Sequence, residues 1–138
     1  MKFKYVVLID DDPAVNYYHK YMIEGADFTD NILVGQSIEE ALEILMEFQE
    51  VNDIDPSLVV LDVNMPRYNG FEFVMKYYDI FQELRRRNVM IIFLTTSRNP
   101  SDIDKASQLD VISDYKQKPM TESMLMELKD VVEKAKTQ

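Results

Sequence analysis

Three runs along the chain are apolar almost without interruption: "FKYVVLI" at 3–9, "SLVVL" at 57–61 and "VMIIFL" at 89–94. Continuous hydrophobicity rich in β-branched residues, in place of polar alternation, predicts strands covered on both faces, as in a parallel sheet. "NILVG" at 31–35 and "VISDYK" at 111–116 carry a weaker form of the same signal. Between these runs the apolar spacing becomes helical. Pro13 suits a first helical turn with Asp12 as its cap, and that helix is expected to run to about Gly25. "SIEE" at 37–40 predicts a capping box from Ser37 and Glu40, ahead of an apolar face of Ala41, Leu42, Leu45, Met46 and Phe48. "NGFEFVMKYYDIFQELRRR" predicts one long third helix facing inward with Phe71, Val74, Met75, Tyr78 and Phe81. Pro100 opens a short fourth helix, and Thr121 caps a fifth carrying Leu125, Leu128, Val131 and Val132.

Five strands alternating with five helices predict a doubly wound α/β sandwich, one domain over 1–138 with no linker. A chain of 138 residues buries roughly 70% of its unfolded surface, enough for a core without staples. The absence of cysteine excludes disulfides, zinc–thiolate sites and thiol catalysis. A formal charge of −10 disfavours nucleic acid and anionic membrane as partners. The one dense basic stretch, Arg85 to Arg87, falls in an expected last helical turn, where cations suit the helix dipole. No apolar run approaches the length of a membrane span or resembles a signal peptide, so a cytoplasmic protein is expected.

In sheets of this kind ligands bind outside the carboxyl ends of the strands. The first strand ends in Asp10, Asp11 and Asp12, the third in Asp62, the fourth in Thr95, and the fifth leads to Lys118. Capping the helix at Pro13 needs one acid, Asp12, and explains none of the others. Clustered carboxylates favour a hard divalent cation, and Mg²⁺ fits best because it accepts a few carboxylates plus water and a phosphate oxygen. His19, the only histidine, is expected on the surface of the first helix with no part in chemistry.

"LIDDDP", "LDVNMPRYNG", "FLTTS" and "DYKQKP", in that order and spacing, resemble the receiver domain of bacterial two-component response regulators, over the whole chain. The resemblance implies a flavodoxin-like (CheY-like) sheet of order 2-1-3-4-5. It implies Asp62 as phosphoacceptor, with Mg²⁺, or Mn²⁺ in its place, held by Asp10, Asp11, Asp62 and the Asn64 backbone carbonyl. It further implies Thr95 as the switch hydroxyl, Lys118 as the phosphate-pairing ammonium, a cis bond between Lys118 and Pro119, and Tyr115 as the aromatic that follows the switch. Asn64 and Ser97 occupy positions that tune phosphoryl lifetime in the family. A histidine kinase or phosphotransfer protein is the implied donor.

The chemistry is consistent with those roles. A carboxylate can attack phosphorus, and a dication with an ammonium neutralises charge on the transferring group. The chain would then catalyse only its own phosphorylation and dephosphorylation, and is not expected to be an enzyme otherwise. No effector domain is expected after the fifth helix, and the expected output is a contact with a downstream protein through the fourth helix, fifth strand and fifth helix. A monomer, or a weak dimer formed on phosphorylation, is expected. Asn69 stands where the family more often has aspartate, and Thr96 where a small residue is common. Two rivals remain open. A haloacid-dehalogenase-type phosphatase would use Asp10 as nucleophile and Asp12 as acid, although no cap domain is expected. A flavodoxin-type module would need a donor-rich phosphate loop in place of the three aspartates.

Overall fold

The structure, a computed structural model, describes residues 2–67 and 69–137. Its elements are β1 (Tyr5–Ile9), α1 (Pro13–Gly25), β2 (Ile32–Gly35), α2 (Ile38–Gln49), β3 (Ser57–Leu61), α3 (Gly70–Lys76), α4 (Tyr78–Arg86), β4 (Val89–Thr95), α5 (Pro100–Ser107), β5 (Asp114–Gln117) and α6 (Glu122–Thr137). The five strands form one sheet in the order β2-β1-β3-β4-β5, every pair parallel. This is the doubly wound sandwich that the alternating pattern predicts, in the flavodoxin-like order that the resemblance implies.

Period-two geometry explains the unbroken apolar runs. Successive strand residues point to opposite faces, and here both faces are covered. Val7, Ile9, Val59, Leu61, Ile91 and Phe93 pack against α2, α3, α4 and α5. Val6, Leu8, Leu58, Val60, Ile92 and Leu94 pack on the other face, against α1 and α6. Helix starts follow local chemistry. The Asp12 carboxylate accepts from the Ala14 N–H at 2.9 Å, Ser37 Oγ accepts from the Glu40 N–H, and Thr121 Oγ1 accepts from the Met124 N–H. Glu40 accepts from the Gln36 N–H, one residue beyond the Ser37 N–H that a reciprocal box would use; the full box occurs instead between Asn69 and Glu72 at the start of α3.

Several expectations need correcting. The third helix is two helices, broken at Tyr77, whose φ of −113° and ψ of 35° leave the helical region. Phe, Tyr and Val lose rotamer freedom in a helix, and the break lets the rings of Phe73 and Phe81 meet edge-on in one core, 5.6 Å apart. The inward set is therefore Phe71, Phe73, Val74, Phe81 and Leu84, while Met75 is exposed. Met46 and Val131, expected inward, also face solvent, lying just off the stripes that bury Leu45 and Val132. Arg87 does more than suit a dipole. Its guanidinium donates to the Gln49 carbonyl at 2.7 Å and to those of Val51 and Asn52, satisfying carbonyls left open where α2 ends. His19, expected on the surface, is buried. Among the described residues, no helix is long and apolar enough to cross a membrane.

Candidate functional site

The carboxyl ends of β1 and β3 and the turn after β5 bring Asp10, Asp62 and Lys118 into one crevice, and Thr95 ends β4 next to Lys118. The backbone places each of them. The sheet ladder continues past β1 and β3, with the Asp10 N–H on the Gly35 carbonyl at 3.1 Å and the Asp62 N–H on the Ile9 carbonyl at 2.9 Å. Both carboxylates therefore emerge side by side. The Lys118 N–H donates to the Thr95 carbonyl at 2.8 Å, docking the turn after β5 onto the end of β4. The Lys118–Pro119 peptide is cis, as is Asp55–Pro56. Gly70 lets α3 start hard against this corner: a Cβ there would lie 2.8 Å from the Asp62 carbonyl oxygen and 2.8 Å from the Phe93 ring.

These polar groups are deep. Asp10 is 4% exposed, Asp62 6% and Thr95 0%. The Lys118 ammonium lies 2.5 Å from Asp10 Oδ2 and 3.5 Å from Asp62 Oδ1, so one cation serves two buried carboxylates. Asp10 Oδ1 also accepts from the Asp12 N–H at 3.0 Å, and Asp62 Oδ1 accepts from the Asn64 N–H at 3.2 Å. Burial, reinforced by the Asp10 charge, pushes the Asp62 carboxyl up to about 6, against the pull of Lys118 and the Asn64 N–H. Asp11, at the surface, completes a group in which one oxygen from each of Asp10, Asp11 and Asp62 lies within 4.8 Å of the others. Three carboxylates against one ammonium leave unbalanced negative charge, and an all-oxygen donor set of this spacing fits a hard divalent cation.

Thr95 Oγ1 accepts from the Ser97 N–H at 3.2 Å. The Ser97 hydroxyl donates to Asp102 at 2.6 Å and accepts from the Asn99 N–H, so it is committed to the start of α5. The Asn64 side chain is exposed. Tyr115 is half-buried, its ring edge-on to Phe93 at 6.4 Å and its hydroxyl donating to the Ser97 carbonyl at 3.3 Å. Burial pushes its phenol up.

Asn16, which sequence reasoning passed over, and His19, which it placed on the surface, lie beneath the crevice. Asn16 and His19 extend inward from α1, in line with Ile23. The Asn16 amide donates to the Asp10 carbonyl at 2.8 Å. His19 is held near 4, first by burial and then by the Lys118 charge, so its ring is neutral at pH 7. The signal was available: Asn16, His19 and Ile23 recur at helical spacing, and Ile23 marks that stripe as the core face.

The response regulator receiver domain family matches this chain over residues 6–130. The crystal structure of a two-component response regulator from Cytophaga hutchinsonii superposes with a TM-score of 0.87 at 30% identity, covering 97% of this chain and 99% of that one. A response regulator receiver protein from Dyadobacter fermentans superposes with a TM-score of 0.80 at 22% identity, over 94% of this chain and 97% of that one, a likeness of fold. The response regulator protein GraR of Staphylococcus epidermidis is 31% identical over 88% of this chain and 47% of its own length. The chain thus spans about half the length of the curated relatives it matches.

Proposed function

This chain belongs to the response regulator receiver domain family, and we propose that its Asp62 carboxylate accepts a phosphoryl group from a histidine kinase or phosphotransfer protein. Mg²⁺ or Mn²⁺ would be held by Asp10, Asp11, Asp62 and the Asn64 carbonyl, where it would neutralise charge on the transferring group. The observation that carries this reading is the meeting of Asp62 with two further acids and the Lys118 ammonium at the crevice floor.

An Asp62 oxygen attacks phosphorus, the bond from phosphorus to the donor nitrogen breaks, and the acyl phosphate remains on Asp62. Even raised to about 6, Asp62 is largely ionised at pH 7, so no base is needed to create the nucleophile. Lys118 pairs with the incoming group. The chain acts only on itself. Thr95 turns its hydroxyl from the Ser97 N–H towards the new oxygens, which loosens the loop that the Tyr115 hydroxyl holds through the Ser97 carbonyl. Tyr115 then moves inward, and the α5-β5-α6 surface changes for a downstream protein or for a second copy of the chain. Such a shift needs the phosphoryl group to favour one arrangement over the other. Asn64 and Ser97 set the lifetime, Ser97 through its bond to Asp102.

Incubation with acetyl phosphate and Mg²⁺, followed by peptide mass mapping, tests the reading. One phosphoryl group on the peptide containing Asp62, absent in Asp62→Asn, is expected. Modification of Asp10 instead would favour a phosphatase-type nucleophile and overturn it.

A further inference from the structure

Asn16 and His19 have no packing reason to be polar. They occupy the stripe of α1 that delivers Ile23 to an otherwise apolar core. Asn16 spends its amide on the Asp10 carbonyl, and its Oδ1 is buried without a hydrogen-bond partner. An unpaired buried amide oxygen is costly and calls for an explanation.

The gap beside Asn16 is lined also by Asp10, His19, Asp62 and Lys118 together with strand residues, and has no room for a water molecule. A partner must therefore come from the protein. Besides Asn16 itself, only His19 and Lys118 among the lining side chains carry N–H groups. His19 has one in its neutral form; Lys118 has three, and its two carboxylate neighbours account for no more than two. A charge-assisted bond from the ammonium is also the stronger of the two choices.

A divalent cation on Asp10 and Asp62 would compete for the oxygens that Lys118 now uses. Resting on the receiver reading above, we propose that Asn16 Oδ1 is a second acceptor for the Lys118 ammonium, taking it over from Asp10 when a divalent cation claims that carboxylate. The His19 ring forms the uncharged wall of this berth. Asn16 is then a positioning residue, acting through Lys118. Its neighbour His19, being neutral, adds no repulsion to the ammonium.

Calorimetric Mg²⁺ titration of four proteins tests this: unmutated, Asn16→Ala, Lys118→Met and the double variant. Loss of Asn16 should weaken Mg²⁺ binding about tenfold where Lys118 is present, and no more than about twofold in the Lys118→Met background. Equal losses in both backgrounds would mean that Asn16 merely tethers the Asp10 backbone, and no loss in either would mean that it does neither; each result overturns the proposal. Should Asn16→Ala fail to fold, the unmutated protein decides. A nuclear Overhauser contact between the Lys118 ε-protons and the Asn16 β-protons should strengthen on adding Mg²⁺, and a contact that is absent or unchanged overturns the proposal. An unmutated protein that takes up no Mg²⁺ overturns the receiver reading and this one together, whereas normal uptake with equal losses overturns this one alone.

Discussion

The two ends of the sheet are built from the same residue types and hold them in opposite conditions. At the amino end, Lys2 lies 2.8 Å from Asp27 and 3.0 Å from Asp30, Lys4 lies 3.3 Å from Asp53, and Asn88 donates to Asp55. These groups are solvated. The hydrogen bond to Lys2 holds the Asp27 carboxyl below its usual range. At the carboxyl end, two buried carboxylates share one ammonium, and Asp62 is pushed the other way. Charge at the amino end is already satisfied by partners and water. Charge at the carboxyl end is left in excess and, at Asp10 and Asp62, buried, the condition that the proposed cation and phosphoryl group would require.

The sharpest way to break this comparison is to remove the shared cation. Lys118→Met leaves Asp10 and Asp62 buried without their ammonium, and losing one partner of a buried pair costs about 3–5 kcal/mol. Urea denaturation in chelator at pH 7 should show a loss of that order. Added Mg²⁺ should recover part of it, because a dication can replace the missing charge. A loss below about 1 kcal/mol would place the crevice on the same footing as the amino end.

The next effect is one of pH, in metal-free protein. Asp62 holds its proton up to about 6 when folded and to 3.8 when unfolded, so its contribution is present below 3.8 and is lost as pH rises through 6. His19 runs the other way. Its pKa falls from 6.5 to about 4, so its contribution is present above 6.5 and is lost as pH falls through 4. Between pH 4 and 6 the two oppose each other. Neither group is among the causes of the other's shift, so single variants should separate them. Stability of Asp62→Asn should rise with pH across that window, and stability of His19→Gln should fall, each by up to about 3 kcal/mol. Parallel curves for the two variants would show that the crevice does not perturb either group.

A smaller effect tests packing. Gly70→Ala would push a methyl into the Asp62 carbonyl and the Phe93 ring. A destabilisation of about 1–3 kcal/mol is expected from overpacking, with slower uptake of phosphoryl from acetyl phosphate as Asp62 shifts. Unchanged stability and rate would mean that α3 yields freely.

What the sequence made legible divides along the same line. The strands were readable because burial on both faces leaves no polar interruption, and the acids and Lys118 were readable because the topology rule directs attention to strand ends. The break at Tyr77 was not, because period alone continues through "VMKYYDIF" and only ring packing in the assembled core selects the turn. His19 was misplaced for a different reason. A lone histidine on a helix ordinarily reads as solvated, and the stripe that buries it becomes clear only once Ile23 is given its inward direction. The Ser97–Asp102 bond likewise needs the loop geometry, since side-chain partners five residues apart have no fixed spacing rule.

The smallest effect belongs to the amino end, and it matters because it calibrates the rest. Lys4 and Asp53 are both exposed at 3.3 Å, where side-chain entropy and water offset most of the attraction. Lys4→Ala should change stability by no more than about 1 kcal/mol at low salt, and by less at 1 M, where screening reaches within about 3 Å. Mg²⁺ should leave that small difference unaltered. If removing this exposed pair instead cost as much as removing Lys118, the contrast would lie in total charge and not in burial, and the crevice would have no special claim on a cation.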